Sequence, residues 1–204
     1  DNVSSSTADG SYKIDDNVTI TVTLSETVIV DNASGNLRIL LETGTNDRYA
    51  NYVSGNSTSI LSFLYTVQSG DNSSDLDFKA TDSLSANNAT IRDTVSLAAN
   101  LTLPSPGASG SLAANKAIII DTTVPTVTSV SFSSADGNYF FDQDNNTITL
   151  TATFNETVYV HNSSGNPRIQ LETGSTDQYA TYVAGNSSQV LSFNYTVQSG
   201  DNSY

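Results

Sequence analysis

Apolar and polar side chains alternate along much of this chain, with a period of two residues that predicts β-strands. Val, Ile and Leu take every second position in residues 18–24, with Thr between them, and residues 61–67 alternate in the same way. The first alternation breaks at Ser25 and Glu26 and resumes in residues 28–30, which predicts a β-bulge. Each segment therefore predicts a strand with one apolar face.

Shorter apolar segments predict the remaining strands of the first half of the chain. They lie at residues 39–41, 50–53 and 76–80, around Ile91, and at 117–120. Turn sequences separate them at intervals of about 8 to 15 residues, and no segment shows sustained helical periodicity. This pattern is typical of an antiparallel β-sandwich.

The chain also contains an internal repeat, which predicts two domains of one fold. Residues 16–73 match residues 146–203 without a gap, at a separation of about 130 positions and with about 60% identity. Upstream, residues 5–12 match residues 133–139. We therefore expect a first domain at 1–121 and a second at 122–204, joined by the extended segment before Pro125.

The second copy of the repeat is shorter than the first. It reaches only the counterpart of Ser73, so within the chain the strands predicted at 76–80 and 117–120 have no second copy. We expect the second sandwich to be incomplete within the chain and to expose an apolar face and a strand edge. A following segment or a neighbouring subunit would complete it by β-strand addition, which head to tail produces an open filament.

Several sequence motifs, in their order along the chain, resemble a known repeat family. They are DTTVPTVTSVSFSSADGNY, a TVTLSETV-type strand, LETG, YVxGN, LSFxYTVQSGD and ANKAIIIDTT. This order is similar to that of the tandem bacterial immunoglobulin-like repeats of giant surface proteins, adhesins and extracellular fibres. The resemblance covers nearly the whole chain and implies immunoglobulin-like β-sandwiches that serve as a stalk or building block, with no catalytic residues.

The acidic composition argues against several classes of protein. Seven Lys and Arg accompany 21 Asp and Glu, which gives a formal net charge of −14. Because the basic residues form no cluster, we expect neither nucleic-acid binding nor attraction to anionic membranes. The sequence has no Cys for disulfides or thiolate metal sites, and no apolar run near the roughly 18 residues of a membrane span. We therefore expect no membrane insertion.

The sequence offers little for catalysis. Its single histidine, His161, has Asp31 as its counterpart in the first copy, so the two copies share no histidine chemistry. The chain has no G-x-S-x-G nucleophile motif. We expect no enzymatic activity.

Twelve Asn residues stand two positions before Ser or Thr with no Pro between them, as N-glycosylation requires. Composition alone would give about six such positions by chance. The twelve are Asn2, Asn17, Asn32, Asn56, Asn72, Asn88, Asn100, Asn145, Asn155, Asn162, Asn186 and Asn194. We expect covalent glycans there, which would solvate a chain with few charges. The alternative is that these pairs follow from turn and strand composition.

Acidic loops are candidate calcium sites, because calcium prefers carboxylate and amide oxygens. Asp142, Asp144 and Asn146 have the spacing with which a calcium loop begins. Two further candidate groups are Asp71 with Asp75 and Asp77, and Glu26 with Asp9 and Asp121. The sequence after position 146 lacks the Gly and the distal Glu of an EF-hand. A solvated acidic loop is therefore the alternative interpretation.

Two patterns on outward strand faces have simple explanations. Thr at alternate positions of residues 19–23 and 147–153 is a favoured residue on exposed strands, so an ice- or sugar-binding array is not required. Arg38 with Glu42, and Arg168 with Glu172, are expected to form cross-strand pairs of small individual energy.

Together these features predict a structural repeat subunit of an extracellular, N-glycosylated filament or adhesin stalk. Its expected partners are copies of itself, head to tail, or neighbouring repeats of the same chain, and its expected location is extracellular or at the cell surface. The alternative function is a calcium- or carbohydrate-binding module of a bacterial surface adhesin. Calcium and covalent glycans are the non-protein groups that the sequence suggests.

Overall fold

The computed structural model describes residues 2–144 and 146–202, which are almost entirely β-structure. They divide into two compact units, unit 1 at Asp1–Thr123 and unit 2 at Val124–Tyr204. The elements of unit 1 are β1 (Asn2–Ser5), β2 (Gly10–Tyr12), β3 (Asn17–Asp31), β4 (Arg38–Glu42), β5 (Arg48–Ser54), β6 (Thr58–Thr66), β7 (Asn72–Ser73), β8 (Asp77–Phe78), β9 (Leu84–Ser85), β10 (Thr90–Asp93), α1 (Leu112–Asn115) and β11 (Ile118–Asp121). Those of unit 2 are β12 (Val127–Phe132), β13 (Thr147–Val158), β14 (Arg168–Leu171), β15 (Gln178–Ala184) and β16 (Ser188–Thr196).

Unit 1 consists of two sheets that share one hydrophobic core. The larger sheet has the order β1-β3-β6-β5-β4-β8, with β10 also paired to β3 and β9 to β4, and all of these pairs are antiparallel. The smaller sheet has the order β2-β11-β7, in which β11 runs parallel to β2 and antiparallel to β7. Apolar residues of both sheets belong to one buried cluster, as in a sandwich.

The predicted interruption of the strand after residue 24 is confirmed. Thr23 pairs with Ile60 and Val28 with Thr58, so four residues of β3 stand opposite a single residue of β6. Just beyond this irregularity, the side chain of Asn56 holds β3, because its Oδ1 accepts a hydrogen bond of 2.8 Å from the backbone N–H of Val30. The bulge lets one continuous strand pair with β1 along its first half and with β10 along its second.

The segment predicted as a strand at residues 76–80 is mostly irregular, and only β8 pairs within it. Asp77 lies within β8, and its buried carboxylate accepts hydrogen bonds from the backbone N–H groups of Phe78, Gly107 and Leu112. These bonds order the loop before α1. The single turn of α1, capped by Ser111, is too short for a periodic sequence signal.

Unit 2 is a single antiparallel sheet in the order β12-β13-β16-β15-β14. Positions that match in the repeat pair in the same register, since Thr153 pairs with Val190 and Val158 with Ser188, as their counterparts do in unit 1. The edge-to-face ring pair of Tyr182 with Phe193, at 6.0 Å and 73°, matches the pair formed by their counterparts in unit 1 at 5.9 Å and 70°. Matching sequence therefore gives matching local geometry.

The turn before β6 depends on a glycine. Gly55 has a φ of +113°, and a Cβ atom on it would stand 2.2 Å from the carbonyl oxygen of Ile60. The matching Gly185 has a φ of +104° and would bring its Cβ to 2.1 Å from the carbonyl oxygen of Val190. Both the backbone conformation and the space therefore require glycine at this turn.

We expect Gly55→Ala to lower the free energy of unfolding of unit 1 by about 3 kcal/mol, because strain and a backbone clash add together. Gly107→Ala is the matched control, since Gly107 also has a positive φ, +74°, but nothing within 4 Å of a Cβ. It should cost about 1 kcal/mol. Hydrogen exchange of β6 amides across a urea series measures both values, and equal losses would contradict this account.

Candidate functional site

One face of unit 2 carries apolar residues that are only partly buried. They pack against the core of the unit and are Ile148, Val158, Val160, Ile169, Leu171 and Val197. We call these six residues the apolar face of unit 2. Their counterparts in unit 1, 130 positions earlier, are at most 6% exposed. Apolar residues at matching positions of the repeat are therefore sealed in one unit and partly exposed to solvent in the other.

Residues 74–121 provide the cover in unit 1. Nine buried apolar side chains of the core come from this segment, namely Leu76, Phe78, Leu84, Ala89, Ile91, Leu103, Leu112, Ile118 and Ile120. The difference in burial also includes the first strand of each unit. Val3 of β1 is fully buried, whereas Val130, at the matching register of β12, is 53% exposed. The repeat places no copy of this segment in unit 2.

The backbone of β14 also differs from its counterpart in pairing. In unit 1, β4 pairs with β5 on one side and with β8 and β9 on the other. Within the described ranges 2–144 and 146–202, β14 pairs with β15 alone. The outer edge of β14 therefore presents backbone donors and acceptors to solvent, next to Ile169 and Leu171 of the apolar face.

A groove of about 540 Å³ adjoins the apolar face. Apolar and aromatic side chains line much of it, including those of Tyr139, Phe140, Ile148, Leu171 and Val197. An apolar groove beside an unpaired strand edge is the arrangement that binds a peptide by adding it to a sheet as a further strand. Main-chain hydrogen bonds then provide affinity, and side-chain pockets provide selectivity.

The predicted glycan acceptors are exposed at almost every described position. The exposed ones are Asn2, Asn17, Asn32, Asn56, Asn72, Asn88, Asn100, Asn155, Asn162 and Asn186, while Asn145 lies outside the described residues. Asn56 and Asn186 occupy matching turns and use only their Oδ1 atoms to hold the adjacent backbone, at 2.8 Å in both cases. Their Nδ2 atoms, which a glycan would modify, are not needed for these contacts.

Asn194 lies in a different environment from these turn residues. It is partly buried on β16, the central strand of the unit 2 sheet, and its Oδ1 accepts a hydrogen bond of 3.0 Å from the hydroxyl of Thr149. A side chain in the middle of a sheet is less accessible than one in a turn.

The predicted grouping of Asp71 with Asp75 and Asp77 as a calcium site is wrong. Asp71 is fully buried and accepts hydrogen bonds from Arg48 Nε at 2.8 Å, the hydroxyl of Tyr65 at 2.7 Å and the N–H of Gln68 at 2.9 Å. The carboxylate of Asp77 is occupied by the backbone N–H groups of Phe78, Gly107 and Leu112. These carboxylates therefore serve as internal acceptors of the fold.

Two members of the second acidic group, Asp9 and Asp121, are likewise engaged with protein donors. Asp9 contacts Lys116 Nζ at 3.0 Å and accepts a hydrogen bond from the N–H of Ala117, and Asp121 accepts one from the N–H of Thr123. The Lys116 hydrogen bond holds the pKa of Asp9 below its ordinary value. Asp9 and Asp121 thus stabilise the two ends of β11.

The remaining calcium candidates, Asp142, Asp144 and Asn146, stay a prediction. Among residues 2–144 and 146–202, no group of three or more His, Asp or Glu side chains could hold a metal ion. His161 is exposed in the segment after β13.

The predicted Arg–Glu pairs are replaced by Arg–Tyr pairs. The guanidinium of Arg38 stacks 4.0 Å above the ring of Tyr49, and that of Arg168 stacks 4.0 Å above the ring of Tyr179. Both pairs join neighbouring strands, since the aromatic ring is on the strand paired with that of the arginine. Glu42 forms its ion pair with Lys79 instead of with Arg38.

No family model, no curated protein and no solved structure matches this chain. In the part of the chain that the structure describes, no helix has the length and apolar character needed to cross a membrane. The functional argument therefore depends on the geometry of the two units.

We expect the stability of unit 1 to fall as the pH rises above about 10, the ordinary pKa of tyrosine. Burial, together with the hydrogen bond to Asp71, raises the pKa of Tyr65 well above that value. The unfolded chain then releases this proton while the native state retains it, so the free energy of unfolding decreases with pH.

The variant Tyr65→Phe should show a smaller decrease in the free energy of unfolding with pH. The measurement is the urea midpoint of unit 1 between pH 9 and pH 11, with hydrogen exchange of β6 amides as the signal from unit 1. Tyr49→Phe, which removes an exposed hydroxyl outside this network, is the matched control and should retain the wild-type slope. An unchanged slope in Tyr65→Phe would contradict the role given to the buried phenol.

Glycopeptide mapping of material from the producing cells should find glycans at the exposed turn positions Asn32, Asn56, Asn162 and Asn186. Occupancy at Asn194 should be lower, because its side chain is partly buried on the central strand of the sheet. Replacing the four turn residues by Gln should remove most of the added mass, whereas Asn194→Gln should change it little. Equal occupancy at all five positions would show that exposure does not select the acceptors.

Proposed function

We propose that this chain is a structural subunit of an extracellular, N-glycosylated filament or adhesin stalk. In this proposal its two units are tandem immunoglobulin-like β-sandwiches, and added strands cover the apolar face of unit 2. The strands come from a neighbouring subunit or repeat, so assembly proceeds head to tail. The chain has no catalytic role.

One observation carries the proposal: the apolar face of unit 2 is partly exposed although its counterpart in unit 1 is sealed. Partly exposed Ile169 and Leu171 correspond to residues that are fully buried in unit 1. Apolar surface in water is unfavourable, and an uncovered strand edge promotes association. A contact between two different surfaces of neighbouring subunits is head to tail, and it produces an open filament when its rotation does not close a ring.

Composition supports the same function. The chain has many exposed Ser, Thr and Asn residues and ten described, exposed candidate glycan acceptors, so its surface is polar without being densely charged.

Both Arg–Tyr pairs and both glycine turns are structural features that the units share, whereas His161 has no matching histidine in unit 1. The shared residues serve the fold, as expected of a building block.

Electron microscopy and intact-mass measurement of the natively purified protein test the proposal. We expect long filaments whose subunits exceed the 21.5 kDa of the polypeptide. The double variant Ile169→Lys with Leu171→Lys should reduce the assembled fraction by about tenfold, because it places two charges on the apolar face. Gln189→Lys, at an exposed position of β16 that belongs neither to the apolar face nor to the edge of β14, is the matched control and should assemble normally.

Retained hydrogen-exchange protection of β16 would show that the double variant is still folded. Unmodified single particles from native material would overturn the filament function. Normal assembly by the folded double variant would overturn the role of the apolar face.

A further inference from the structure

The segment that covers unit 1 brings cations as well as apolar residues. Unit 1 has six Lys and Arg, and three of them, Lys79, Arg92 and Lys116, lie in residues 74–121. Two of the three form ion pairs with the rest of the unit: Lys79 with Glu42 and with Asp47 at 3.4 Å, and Lys116 with Asp9 at 3.0 Å. The third, Arg92, donates to the carbonyl of Ser96 within its own segment.

Unit 2 retains each carboxylate that receives these lysines. Glu172 and Asp177 are the counterparts of Glu42 and Asp47, and Asp136 is the counterpart of Asp9. The local geometry is retained too, because Glu172 Oε1 accepts from the N–H of Gly174 at 3.1 Å, as Glu42 does from that of Gly44 at 3.3 Å. Asp136 is exposed, and Asp177 accepts from Gln170 Nε2 at 3.0 Å.

The charge of unit 2 favours a partner that carries cations. Residues 124–204 contain seven Asp and Glu but a single basic residue, Arg168, whose guanidinium stacks on Tyr179. A second copy of unit 2 placed face to face would bring these carboxylates together, which is repulsive. A lysine-bearing strand segment would neutralise them while it covered the apolar face.

The backbone specifies how such a segment would pair. In unit 1, β8 adds to the outer edge of β4, where Leu41 pairs with Phe78 and Glu42 with Asp77. The matching edge of β14 ends at Leu171, next to Glu172. A strand added there in the same register places its lysine, two residues after the Asp77 position, beside Glu172 and Asp177.

We propose that the apolar face and the outer β14 edge of unit 2 bind a lysine-bearing β-strand segment of the type of residues 74–122. Glu172 with Asp177 receives one lysine, and Asp136 receives the other. The inference rests on the proposed function and deepens it, since it names the chemistry of the partner and the residues that recognise it.

A synthetic peptide with the sequence of residues 74–122, added to the full-length chain, is the first probe. We expect saturable binding that protects the amides of β14 from hydrogen exchange and leaves those of β4, already paired, unchanged. Absence of binding, or equal protection of β4, would overturn the inference.

Variants of the peptide test the lysines without altering the chain. Lys79→Gln with Lys116→Gln should weaken binding by about tenfold, the sum expected for partly exposed ion pairs. Arg92→Gln is the matched control and should change binding by less than about twofold, because Arg92 donates to the carbonyl of Ser96 within its own segment. Equal effects of the lysine and arginine changes would mean that only the net charge of the peptide matters for binding. That result would overturn the assignment of the carboxylates.

Zero-length carbodiimide cross-linking of native assemblies tests the lysine contacts. Peptide mapping should find Glu172, Asp177 or Asp136 joined to lysines, which must come from outside unit 2 because residues 124–204 contain none. Filaments with no cross-links at these positions would overturn this inference and leave the filament function intact. Peptide binding without any filaments would instead contradict the filament function alone.

Discussion

A β-sheet with one apolar face is stable in water only when something covers that face, and this requirement governs both units. In unit 1 the cover is provided by residues 74–121, which supply buried side chains such as Phe78, Leu112 and Ile118. In unit 2 the sheet keeps the same register and the same aromatic pair but has six partly exposed apolar residues where unit 1 is sealed. The difference between the units thus lies in the cover, while the sheet itself is common to both.

Much of the sheet could be predicted from the sequence, because strands with one buried face alternate visibly. The alternation located β3, its bulge and β6, and the repeat located their counterparts β13 and β16. The cover was harder to predict. Its strands β8 and β9 have two residues each, and Asp77 is a buried acceptor that resembles a solvated acid in the sequence.

The acidic candidates illustrate the same limit. Spacing alone could not separate a calcium ligand from a carboxylate used by the fold, because both require oxygen atoms in a loop. The role of Asp71 is determined by two partners distant in sequence, Arg48 and Tyr65, which only the folded chain brings next to it. Similarly, Arg38 has both Glu42 and Tyr49 within reach of its strand, and the ring across the sheet is the partner it adopts.

The parallel pairing of β11 with β2 has a mechanical consequence for a subunit under tension. These strands lie near opposite ends of the unit 1 chain, and Ile118, Ile119 and Ile120 pair in order with Gly10, Ser11 and Tyr12. Force that pulls the two chain ends apart slides the strands along one another and loads these backbone pairs together. Opening one pair at a time, as in a zipper, would need much less force. Thr122, whose hydroxyl donates to the carbonyl of Asp71, fastens the chain just beyond β11 and adds a further attachment to the same load path.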